Sequence, residues 1–163
     1  MSRAEEPTVR LSVLDRLLDQ DPAAGDVAES WTGSVDALKQ SLVRDLEWLL
    51  NTRRIAEPAP DHYSEVQHSV YHFGLPDVTS KSADSVTVQQ SLSREIEECI
   101  RLFEPRLADV RVGLRESGEK GSRLARFVIE AMLRMEPNPE RVVFDTVLET
   151  PTGKFSVSGD DHA

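Results

Sequence analysis

Apolar residues recur along this chain with two different periods, and the change falls near Pro105. Before it the spacing is helical. Leu11, Leu14, Leu17 and Leu18 predict a short amphipathic helix in an N-terminal arm spanning residues 1–33. So short a helix is marginal alone, so it must cover the domain or dock on a partner. After the breakers around Asp21-Pro22, Ser34 caps a helix running to about Arg54. Val35, Leu38, Leu42, Leu46, Leu49 and Leu50 form its apolar stripe, with Arg53 and Arg54 in the last turn at the negative end of the dipole. Trp48 lies off the stripe, where it either covers the Leu11–Leu18 helix or anchors another protein. Residues 56–84 make a long connection, opened by Pro58 and Pro60. A second helix spans about Ser85 to Phe103, with Leu92, Ile96, Cys99, Ile100 and Phe103 on one face. Pro105 ends it.

Beyond Pro105 the period is two. Ala108, Val110, Val112 and Leu114 alternate with polar residues and Gly113. A strand over Arg123–Met135 puts Ala125, Phe127, Ile129, Ala131, Leu133 and Met135 on one face. Val142, Phe144, Thr146 and Leu148 give a third strand, and Phe155 and Val157 a short fourth. Helices first, then strands joined by hairpin-sized turns, predict an α+β fold: amphipathic helices packed on one face of an antiparallel β-meander. The expected domain covers residues 34–158, followed by a disordered tail, 159–163.

The length, 163 residues, fits one domain with its own core. With 19 basic against 29 acidic residues the formal charge is −10, which argues against general nucleic-acid binding. The distribution is uneven. Arg106–Arg141 holds eight cations and six acids, so an arginine-rich sheet face is expected in an otherwise acidic protein. A single cysteine cannot form an internal disulfide, no apolar run suggests membrane insertion, and the N-terminus lacks a secretory apolar core. The expectation is a cytoplasmic protein.

Candidate chemistry is sparse. Gly118-Glu-Lys-Gly121 reads as a hairpin turn rather than a phosphate loop. His68 and His72 are four apart, but no acidic or cysteine ligand stands at a recognised interval, so no metal site is assigned. Glu95, Glu97, Glu98 and Glu104 are carboxylates by type only, without a marked nucleophile or base. No catalytic residue and no cofactor is expected. Glu104 is the odd residue, because an acid at a helix C-terminus opposes the dipole. Either Pro105 merely stops the helix while Glu104 pairs with Arg106 or Arg101, or a partner supplies the compensation.

Four strings stand in one order: Leu11 to Leu18, Arg44-Asp-Leu-Glu-Trp-Leu-Leu-Asn-Thr-Arg-Arg54, Tyr71-His-Phe-Gly-Leu-Pro-Asp77 and Phe103-Glu-Pro-Arg-Leu107. Together they resemble the TssE family of type VI secretion baseplate subunits, itself similar to a lysozyme-like baseplate wedge protein of contractile phage tails. The resemblance runs from about Leu11 to Val157. It implies a structural subunit that sits in the wedge with TssF and TssG, beside TssK and the VgrG hub, where the TssB–TssC sheath begins. It implies that Glu104, Pro105 and Arg106 dock to the wedge core. Leu14, Leu17, Leu18 and Trp48 are further candidate partner contacts, as are Phe155 and Val157 on a strand offered to the sheath, with the Ser156 N–H as a donor. The alternative implied by the family name is a peptidoglycan-acting glycoside hydrolase.

Overall fold

The structure, a computed structural model, describes residues 12–17, 31–57, 59–60, 62–77, 86–115, 123–136 and 138–159. Helices α1 (Val13–Leu17), α2 (Trp31–Asn51), α3 (Ser64–Gln67) and α4 (Val86–Phe103) precede four strands. These are β1 (Leu107–Arg115), β2 (Leu124–Leu133), β3 (Glu140–Glu149) and β4 (Lys154–Gly159), paired antiparallel in chain order. The α+β meander expected from the two periods is the fold observed.

The apolar stripe of α2 is buried along its whole length, with Leu42 and Leu46 fully enclosed. Each such leucine contributes roughly 1.5–3 kcal/mol on burial. Leu92, Ile96, Cys99 and Ile100 of α4 face the same core. Between them stand the inward rows of the sheet, including Phe127, Ile129, Phe144, Leu148 and Phe155. Helix α2 packs on β4 and α4 on β1, so the helices lie over opposite sides of one sheet face. Cys99 is a buried hydrophobe whose Sγ lies 3.4 Å from the Gly74 carbonyl; burial pushes its thiol up to about 11. It is no nucleophile at neutral pH.

The structure corrects three local expectations. Helix α2 begins at Trp31, before Ser34, and ends at Asn51 rather than Arg54. Thr52 turns its carbonyl to the Leu75 N–H (2.9 Å), and Arg54 N–H donates to the Leu75 carbonyl (2.8 Å). Pairing with the 71–77 loop thus replaces another helical turn, and Arg53 and Arg54 reach Asp77 and Glu95 instead of capping the helix. Gly74 makes this approach possible. Its φ is +98°, and a Cβ there would stand 2.2 Å from the Thr52 carbonyl oxygen.

The second correction is in β1. Leu107 and Val110 are both buried although three apart, and Ala108 is only half-buried. A bulge between Ala108 and Arg111, with Asp109 at φ +50°, inserts the extra residue. The alternation resumes at Val110. Third, the long connection holds a helical turn, α3, that ends before His68, so His68 and His72 do not share a helix.

Each free edge of the sheet meets a helix side chain. On β1, Val112 N–H donates to Glu97 Oε2 (3.3 Å). On β4, Phe155 N–H donates to Asn51 Oδ1 and its carbonyl accepts from Asn51 Nδ2, both at 2.9 Å. Since the backbone groups of Phe155 point outward, those of Ser156 point to β3 by alternation. The Ser156 donor is therefore part of the β3–β4 ladder and cannot serve an added strand. Gly159, the first residue of the predicted tail, ends β4, and the rest of that tail lies outside the described residues.

Candidate functional site

All four strings singled out in the sequence converge on one groove of about 400 Å³, the first of them through Ser12 alone. Ser12 comes from the start of α1, and Asp45, Trp48 and Leu49 from α2. Phe73 comes from the 71–77 loop, and Phe103, Glu104, Pro105 and Arg106 from the turn between α4 and β1. Phe73 and Phe103 meet edge to face at 5.3 Å and form an apolar wall. Trp48 stands on the rim, 56% exposed, with the Arg44 guanidinium 5.3 Å from its ring centre.

A chain of alternating charges runs beneath. Glu104 is 5% exposed and is held by its own neighbour. Arg106 donates to it from Nε (2.7 Å), Nη2 (2.5 Å) and the backbone N–H (3.1 Å). The same guanidinium reaches across to α2, donating to Asp45 Oδ2 (2.6 Å) and Ser41 Oγ (3.2 Å). Asp45 also accepts from Arg44, whose Nη2 is shared with Asp15 of α1 at 2.7 Å. Burial works against the charge of Arg106, but the bonds to Glu104 and Asp45 outweigh it and raise its pKa further above the usual arginine value. Asp15 behaves alike. Partial burial opposes its ionisation, yet bonds from Ser12 and Arg44 hold it below the ordinary carboxylate value.

Of the two readings offered for Glu104, the structure shows the pairing with Arg106. The compensation is internal: Pro105 turns the chain so that Arg106 folds back on the acid two residues before it. Pro105 itself is exposed. Glu104, Pro105, Arg106 and Trp48 are thus brought together. Leu14 and Leu17 are exposed on α1, Leu17 at 76%, and do not line the groove; α1 meets α2 through Asp15 rather than through buried leucines. Leu18 lies outside the described residues. Phe155 and Val157 point into the core, so only the backbone of β4 is available at that edge. The sequence reading missed Ser41 and Asp45. Their signal was present: two polar residues four apart, each directly preceding a stripe leucine.

Among the described residues no group of three or more His, Cys, Asp and Glu is placed to hold a metal, and no helix is long and apolar enough to cross a membrane. Glu104 and Glu97 spend their carboxylates on Arg106 and on Arg101 with Val112, and Glu95 on Arg54.

The model of one family, Baseplate wedge protein gp25, matches residues 36–138. The chain belongs to the baseplate wedge protein gp25 family. No curated protein matches it. The family match takes in α2, α4, β1 and β2, hence every groove residue except Ser12. Helix α1 and strands β3 and β4 fall outside the matched stretch, and with them Asp15 and Phe155.

Proposed function

We propose that this gp25-family protein is a structural subunit of a type VI secretion baseplate, joining the wedge to the contractile sheath and helping sheath assembly to start. On this reading the groove receives TssF and TssG, with TssK and the VgrG hub nearby, and β4 offers backbone to the TssB–TssC sheath. The subunit acts in the cytoplasm and is not an enzyme. The observation that carries the reading is the convergence of the recognised strings on one groove with an apolar wall and an exposed tryptophan. Such a rim is suited to anchoring a partner. Glu104 and Arg106 serve it by fixing the groove's shape, since their hydrogen bonds are satisfied within the chain. On β4, Asn51 already occupies Phe155, so an added strand would pair from Val157 onward. The hydrolase reading gains nothing from the site, because Glu95, Glu97 and Glu104 are each bound to an arginine and Glu98 stands exposed outside the groove.

Copurification of a tagged chain with co-expressed TssF and TssG tests this. Trp48→Ala and Pro105→Ala, both at exposed positions, should melt within a few degrees of the wild type yet recover much less of the complex. Undiminished recovery by both would remove the groove from the interface.

A further inference from the structure

The sheet face turned away from the helices carries its own pattern. Its outward rows hold Arg111 and Arg115 on β1, Arg126 on β2 with Arg134 just beyond it, Arg141 on β3 and Lys154 on β4. The acids among them are already engaged. Glu130 accepts from Arg141 (3.0 Å), Asp145 takes Arg115 on both oxygens (3.0 Å), and Glu149 accepts from Thr152 (3.1 Å). Arg111, Arg126 and Arg134 have no ion pair among the described residues.

Two features of this face are unfavourable or idle in the isolated fold. Arg126 sits directly opposite Arg115 in the β1–β2 register, a like-charge pair that costs stability in a sheet. Gly113 is exposed mid-strand with ordinary negative φ, and a Cβ there would meet nothing within 4 Å. Neither conformation nor packing requires glycine at Gly113, two residues past the bulge, and its missing side chain leaves room for close approach from outside. Val128, opposite Gly113, and Met132, Val143 and Val147 further across β2 and β3 are half-buried and give the face an apolar centre.

We infer that this face is a second docking surface, separate from the groove, for an acidic protein surface. Carboxylates of the partner would meet Arg111, Arg126 and Arg134 by bidentate bonds, and its backbone or a side chain would rest on the flat spot at Gly113. Charge complementarity argues for this occupant. The free groups are guanidiniums on a face whose own acids are spent, a local cationic patch in a chain that is acidic elsewhere. The valine and methionine centre suits polypeptide rather than phosphate backbone.

The test uses the full chain and a fluorescein-labelled polyglutamate peptide, followed by anisotropy at low and at physiological salt, with duplex DNA as competitor. The wild type should bind the peptide with strong salt dependence. The R111E/R126E/R134E variant should lose about tenfold in affinity. The R53E/R94E/R101E variant, with the same charge change on the helical side, should lose far less. Should the triple face variant fail to fold, R126E alone, which relieves the opposition to Arg115, should fold at least as well as the wild type and bind about threefold more weakly. Equal losses in the two triple variants, no peptide binding at all, or preferential binding of DNA would each overturn the inference.

Discussion

Two sets of ion pairs use the same residue types in this protein and do different things. In the groove, Glu104, Arg106 and Asp45 are largely shut away from water, and each charged atom has a partner fixed by the turn at Pro105 or by α2. On the outer sheet face, Arg115–Asp145 and Arg141–Glu130 are similar in length but mostly exposed. Solvent screening leaves such surface pairs worth about 0–1 kcal/mol. Breaking a buried pair leaves a stranded charge and costs several times more. The difference lies in what remains after one partner is lost, and it assigns shape to the groove and availability to the face.

The largest effect should come from Glu104→Ala. It leaves Arg106 under α2 with only Asp45 and Ser41, and urea unfolding should show a loss of about 2–4 kcal/mol, somewhat under a fully buried pair because Asp45 and some water still serve the guanidinium. Pairing it with Arg106→Met should recover part of that loss, and additive losses would break the comparison. Thr146 sharpens the contrast from the opposite direction. Its hydroxyl is buried in the core without a hydrogen-bond partner among the described residues, so burial there is uncompensated. Thr146→Val should raise stability by about 1 kcal/mol in the same unfolding assay. Arg141→Ala, which breaks an exposed pair, should change it by no more than about 0.5 kcal/mol.

The smallest effect is a pH effect at α1. Asp15 is held below its ordinary value by Ser12 and Arg44, so its contribution is complete above that value and is lost as pH falls through the lowered one. Acid titration followed by Trp48 fluorescence should show α1 leaving α2 in that range, and Asp15→Asn should abolish the transition. Persistence of the transition in Asp15→Asn would exclude this pair as its cause.

The same contrast explains what was legible beforehand. The inward rows of β2 and β3 and the stripe of α2 follow from periodicity alone, because one buried face imposes it. The bulge at Ala108–Arg111 breaks the alternation by one residue, and nothing in the composition of that stretch marks it. The end of α2 was missed because Thr52 and Leu75 decide it, a pairing between segments far apart in sequence. Glu104 was recognisable as an oddity from its position at a helix end. Its burial was not, since that depends on Ser41 and Asp45 arriving from α2. The resemblance located the strings, and only the fold showed that they share a groove.

The Asn51 clamp has a consequence for synthesis. Asn51 and Phe155 are 104 residues apart, and β4 is the strand on which α2 rests. At ribosomal speeds of about 5–20 residues per second, α2 spends roughly 5–20 s in the cell before its strand exists. During that interval its leucine stripe has only α4 and the first hairpins to lean on, while Asn51 has no backbone to clamp. The nascent chain is therefore most exposed to chaperones and to mispairing just before its last hairpin emerges, and substitutions at the β3–β4 turn should act on yield more than on the stability of what does fold.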